Sequence, residues 1–212
     1  MTPNKYFDLQ EEAGNLFRAG DYLASIKCCY EIAVNIPILK KQIEDLKELN
    51  KDFVSYAIMN LLMIGDNEMA KNTLEIIINS DIVKQEQFQE DLEWSISSEI
   101  DGSPIISNYE NVKFCISYFR KINVLSFQQE KQYLDELDKS VNEWKKYFEE
   151  KEKITSQVLA ILKNGSITQK QIYKAIKDFD GRKILSVLKE LERKNIIKRD
   201  KQGSDYLLTM KY

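Results

Sequence analysis

Leu188-Lys189-Glu190-Leu191-Glu192-Arg193-Lys194-Asn195-Ile196-Ile197-Lys198-Arg199 is the stretch on which the reading of this chain turns. Its leucines keep helical spacing, and Asn195 tolerates the left-handed backbone that closes a helix. Ile196-Ile197 then begins a strand. Traced backwards, the spacing predicts a helix over roughly Gly181 to Lys194 that buries Leu185, Leu188 and Leu191. Its other face carries Arg182, Lys183, Ser186, Lys189 and Arg193. Asp180 suits its N-cap, and Phe179 can pack on Ile184 as a hydrophobic staple. Traced forwards, strands are expected at Ile196–Asp200 and Asp205–Met210, joined through Lys201-Gln202-Gly203-Ser204. Gly203 supplies the positive dihedral that a hairpin turn needs.

Two further helices precede these elements. Ile154, Val158, Leu159 and Leu162 give one apolar stripe that ends at Asn164-Gly165. Thr168 with Gln171 is a capping box, in which each side chain satisfies an amide orphaned by the first turn. The helix it opens, roughly Gln169 to Lys177, should bury Ile172, Tyr173 and Ile176.

Three helices followed by a two-stranded wing make residues 153–212 resemble the winged-helix family of helix-turn-helix domains, most of all those of bacterial and archaeal transcription regulators. Asn195 stands where that family often has glycine, and Leu185 where many members carry a small polar residue. The resemblance implies that the third helix lies in the major groove of duplex DNA while the second crosses the backbone. Arg182, Lys183 and Ser186 would then face base edges. Lys170, Lys174, Lys189 and Arg193 would reach phosphates, which fix position without reading sequence. Lys201 and Gln202, at the wing tip, would touch the minor groove or the flanking backbone. Winged helices also dock onto proteins, so a scaffold or adaptor role is the alternative.

Charge favours the DNA reading. Residues 151–212 hold 15 Lys and Arg against 7 Asp and Glu, whereas residues 1–150 hold 16 against 27. A split of this kind is expected where one part meets a polyanion and the other does not.

The acidic part, 1–150, is expected to be helical throughout, for it contains only Pro3, Pro37 and Pro104 and only Gly14, Gly20, Gly65 and Gly102 as breakers. Two of its segments look alike. Leu9, Ala13, Leu16, Gly20-Asp21, Ser25 and Cys29 in one correspond to Val54, Ile58, Leu61, Gly65-Asp66, Ala70 and Leu74 in the other. This resembles a degenerate tetratricopeptide repeat, in which the glycine ends one helix, the aspartate caps the next, and the small residue permits close approach. The segments are offset by 45 residues instead of the usual ~34, so Ile38–Asn50 must extend a helix or form an insertion. A third hairpin is expected from Tyr109–Lys121 and a helix opened by the Ser126/Gln129 capping box. The latter carries Leu134, Leu137, Val141, Trp144 and Phe148 at heptad-like spacing, which suits either core packing or a seam between two copies. Ser95–Asn108 reads as a loop, and the join at 149–153 contains no breaker, so the last helix should run on into the basic tail.

Chemistry-bearing motifs are scarce. Histidine is absent, and Cys28, Cys29 and Cys115 form no C-x-x-C pair, so no metal or cofactor site and no enzyme activity is expected. No apolar stretch reaches the length of a membrane span. Unpaired thiols without a signal peptide point to the cytoplasm. The expectation is therefore a mainly α protein: a tetratricopeptide-like array over 1–150 for protein interaction or dimerisation, then a winged-helix domain over 151–212. Duplex DNA is its expected partner, and transcription regulation its expected task.

Overall fold

Breakers are rare and apolar residues recur every three or four positions, so helices occupy most of the chain. The structure is a computed structural model that describes residues 1–43, 51–102 and 105–211. It is mainly helical, with a small three-stranded antiparallel sheet near the C-terminus. The chain divides into two units, Met1–Asn142 and Glu143–Tyr212, so the division comes earlier than the expected 150/151.

In the first unit, α1 (Pro3–Arg18) packs on α2 (Tyr22–Val34). Gly20, at φ +82°, closes α1 in a Schellman motif: its amide donates to Phe17 O and that of Asp21 donates to Leu16 O. Asp21 then caps α2, accepting from the Ala24 amide at 3.1 Å. Buried Ser25 donates to Ala13 O at 2.8 Å and accepts from Asn60 Nδ2 at 2.8 Å, which draws three helices together. Pro37 stands near the start of the short α3 (Ile36–Gln42). Of the stretch Ile38–Asn50, expected to extend a helix or form an insertion, residues 44–50 lie outside the described residues.

Helix α4 (Asp52–Ile64) is the centre of this unit, touching α1, α2, α5 (Glu68–Asn79), α6 (Gln85–Asp101) and α7 (Ile105–Lys121). Phe53, Val54, Ala57, Ile58, Leu61 and Leu62 are all fully buried, as expected of a helix that is apolar nearly all round. Asp66 does not cap α5, contrary to expectation. The helix begins at Glu68, so the needy amide is that of Ala70, and Asn67 accepts from it at 3.1 Å. Asp66 pairs instead with Lys71 at 2.6 Å.

The expected loop over Ser95–Asn108 is a second correction. Helix α6 runs through Asp101 and α7 begins at Ile105, while Ser103 and Pro104 lie outside the described residues. The polar residues that suggest a loop are satisfied within helices: Ser95 Oγ donates to Asp91 O at 2.7 Å, and buried Asn108 donates to Leu62 O at 3.0 Å.

The Ser126/Gln129 capping box opens α8 (Phe127–Leu162), which contains the breaker-free 149–153. Leu137 and Val141 of its heptad-like stripe are buried, Leu134 and Trp144 half-buried, and Phe148 exposed.

The second unit contains the C-terminal part of α8, then β1 (Ile167–Thr168), α9 (Gln169–Ala175), α10 (Gly181–Arg193), β2 (Ile197–Gln202) and β3 (Asp205–Met210). The strands lie in the order β1-β3-β2, with Ile167 opposite Leu208 and Ile197 opposite Met210. The sheet thus has three strands instead of the expected two; a two-residue strand is too short to show alternation. β2 also reaches Gln202, leaving Gly203 (φ +59°) and Ser204 as a two-residue turn. Ile154, Val158, Leu162, Ile172, Ile176, Ile184, Val187, Leu188, Leu191, Ile197 and Leu208 form the core. Leu185, expected to be buried, is half-buried, because α10 turns Ile184 and Val187 into this core instead. Tyr173 is likewise half-buried, its hydroxyl accepting from Gln169 Nε2 at 2.6 Å.

Among the described residues no single helix is long and apolar enough to cross a membrane; α2 and α3 together are apolar but bent by 58°.

Candidate nucleic-acid interface

The basic face of the second unit is assembled from its helix ends. Thr168 and Gln171 complete the expected capping box, which fixes the start of α9. Lys170 and Lys174, one turn apart, are both exposed on it. Lys170 Nζ lies 3.5 Å from Ser204 Oγ, beside the hairpin turn. Asp180 caps α10, accepting from the Arg182 amide at 2.6 Å. Asn195, at φ +59°, ends it in a Schellman motif, with Asn195 N donating to Glu192 O and Ile196 N to Leu191 O.

Between those caps α10 has two opposed faces. Ile184, Val187, Leu188 and Leu191 form the buried one. Arg182, Ser186, Lys189 and Arg193 follow one another at intervals of four, three and four, so they share the opposite, exposed face. None of its three cations makes an ion pair among the described residues, nor do Lys170, Lys174 or Lys201. A row of cations without partners leaves the charge available to a polyanion.

Lys183 belongs to a different face. One flank of α10 carries Lys183, Glu190 and Lys194, and the first two are tied to α8. Lys183 Nζ sits 2.5 Å from Glu150, while Glu190 accepts from Lys151 at 2.6 Å and Lys194 at 2.9 Å. Hydrogen bonds from Lys151 and then Lys194 pull the Glu190 carboxyl down to about 2, and the bond from Lys183 lowers that of Glu150. The resemblance places Lys183 beside Arg182 and Ser186 at the bases; it lies near them in sequence but is already committed to a carboxylate. Glu150 gives no sequence signal of this, because it reads as one more solvated acid on a long helix.

Arg199, part of the basic count, is committed within the fold. Its side chain is buried, with Glu192 at 3.0 Å and Gln169 Oε1 at 2.9 Å. Lys201 and Gln202 are exposed at the end of β2, next to the turn.

A hollow of about 200 Å³ adjoins the first turn of α10. Tyr147, Ile154 and Val187 give it apolar walls, with Arg182, Lys183 and Ser186 on the α10 side and Glu150 and Lys151 on the α8 side. No sequence argument anticipates it, since it depends on how α8 crosses α10. Among the described residues no cluster of Cys, Asp or Glu could hold a metal ion.

Compared with protein-family models, curated proteins and solved structures, the chain gave no match.

Proposed function

We propose that this chain is a transcriptional regulator that binds duplex DNA through a winged-helix domain formed by its second unit. The observation that carries the reading is the unpaired basic stripe of Arg182, Ser186, Lys189 and Arg193, directly opposite the buried stripe of α10. The order helix, short strand, helix, helix, hairpin, with β3 between β1 and β2, supports the winged-helix assignment. On this reading α10 enters the major groove, with Arg182 and Ser186 at base edges. Lys170, Lys174, Lys189 and Arg193 neutralise phosphates, and Lys201 with Gln202 follows the flanking backbone. Lys183 joins them only by leaving Glu150.

The first unit serves a tetratricopeptide-like role, holding a protein partner or a second copy. In support, α2 leaves Leu23, Tyr30 and Val34 exposed at positions that share one stripe.

Fluorescence anisotropy of a labelled duplex with the whole chain, across a salt series, tests the proposal. Five phosphates neutralised by Lys170, Lys174, Lys189, Arg193 and Lys201 give a slope of about −4 to −5 in log affinity against log salt. No binding at low salt would overturn it and turn the search to a scaffold whose winged helix docks onto protein.

A further inference from the structure

The hollow beside α10 offers chemistry that phosphate binding does not use. At about 200 Å³ it is smaller than the roughly 300–1,000 Å³ sites that hold drug-sized ligands, so it suits one ring system with its substituents outside. Tyr147, 41 % exposed, supplies a ring at the wall. That ring is held edge-on by Trp144 and Phe148, with centroids 5.5 Å from each. Ile154 and Val187 supply apolar floor, so a flat, weakly polar group loses little on entering. Arg182 and Ser186 belong both to the hollow and to the basic stripe, and Arg182 has no ion-pair partner among the described residues. An aromatic ring, two aliphatic side chains and the cations Arg182 and Lys151, with the Glu150 carboxylate of the same lining already neutralised by Lys183, together match a planar ring carried on an anionic backbone. In a paired duplex the base faces are stacked on one another, and only an unpaired base has a face to offer.

We propose that this hollow receives a single unpaired nucleobase from a strand seated on the α10 stripe, so that the protein prefers a duplex carrying an extruded base to a fully paired one. The inference rests on the proposed DNA binding. Tyr147 stacks on the base, Arg182 exchanges the base edge it meets in a paired duplex for the phosphate of the extruded base, and Ser186 exchanges a hydrogen bond with the edge of that base.

The test uses the whole chain and two duplexes of one sequence, one fully paired and one with a single bulged 2-aminopurine. Stacking of one base on an aromatic ring predicts ~10-fold tighter binding of the bulged duplex, with quenching of its fluorescence. Tyr147→Phe keeps the preference. Tyr147→Ala removes it and leaves affinity for the paired duplex unchanged. Equal affinities for the two duplexes, with binding still dependent on Lys189 and Arg193, overturn the base site alone. A preference that survives in Tyr147→Ala also overturns it, for it then reflects bending at the bulge. Saturable binding of free adenosine monophosphate at the same concentrations would make the hollow a mononucleotide site and overturn the strand-borne base. Absence of binding to either duplex overturns the DNA reading and this inference with it.

Discussion

The guanidinium of Arg199 lies 4.6 Å over the ring of Tyr206. The two are diagonal neighbours on one face of the sheet, since Arg199 stands opposite Leu208 in the β2–β3 ladder. Glu192 and Gln169 complete the arginine's surroundings, so a residue that looks like an interface cation joins α9, α10 and the hairpin. Among the described residues its buried Nε has no hydrogen-bond partner, which leaves the cation dependent on its other neighbours. Arg199→Ala should therefore destabilise the second unit by about 1–3 kcal/mol. Denaturant unfolding checks the loss. The salt slope of duplex binding should stay the same at temperatures where the variant is folded, and a reduced slope would place Arg199 at the interface.

The pairing of Lys183 with Glu150 separates two kinds of cation on α10. Lys189→Ala combined with Arg193→Ala should reduce the salt slope by about two, one for each phosphate no longer neutralised. Lys183→Ala should change it far less, because a lysine already neutralised by a carboxylate releases few counterions. Anisotropy at four or five salt concentrations measures both. If Lys183→Ala proved as damaging as the double variant, the stripe would have been drawn on the wrong face.

Glu190 makes part of the fold's stability depend on acid. Its carboxyl titrates at about 2 in the folded chain against an ordinary 4.5, so the folded state favours the ionised form. The stabilisation from Lys151 and Lys194 is thus fully present above an ordinary carboxyl's range and is lost as pH falls from about 4.5 towards 2. Glu190→Gln should lower the melting temperature at neutral pH, and the two proteins should converge at pH 2. Thermal melts at both pH values decide it: a difference that persists in acid would mean that Glu190 acts through packing.

Two glycines at positive φ should respond differently to alanine. Gly65 has φ +68° with ψ −134°, outside the left-handed well that side chains tolerate, and a Cβ there would also stand 2.4 Å from Asn111 Oδ1. Asn111 is held by its bond to Met63 O at 2.7 Å and cannot move aside freely. Gly20 has φ +82° but open space around it. Gly20→Ala should cost only the backbone strain of about 1–2 kcal/mol, and Gly65→Ala clearly more. Urea unfolding of the two variants side by side gives the comparison, with equal losses counting against the clash with Asn111.

Features set by adjacent residues were legible in the sequence. The capping boxes of Thr168 and Ser126, the Asp180 cap, the left-handed Asn195 and the hairpin at Gly203 all follow from a few neighbouring residues and reappear in the structure. Tertiary choices were not. Ser95 and Asn108 look like loop residues until their helix carbonyl partners are known. Leu185 competes with Val187 for the core, and only the packing of α10 decides between them. The site divides in the same way. Periodicity groups Arg182, Ser186, Lys189 and Arg193, whereas the removal of Lys183 and Arg199 from the free cations requires partners 33 and 7 residues away.

The distribution of sulfur has a practical consequence. Cys28, Cys29 and Cys115 are all free and buried, and all lie in the first unit, leaving residues 143–212 without a thiol. Burial pushes each thiol up from its ordinary value, which disfavours the reactive thiolate while its helices stay closed. Alkylation therefore acts as a clock for the helical array alone: each modified cysteine records an opening of α2 or α7. Run with and without DNA, the same clock reports whether occupancy of one half of the protein is felt in the other, with no label introduced.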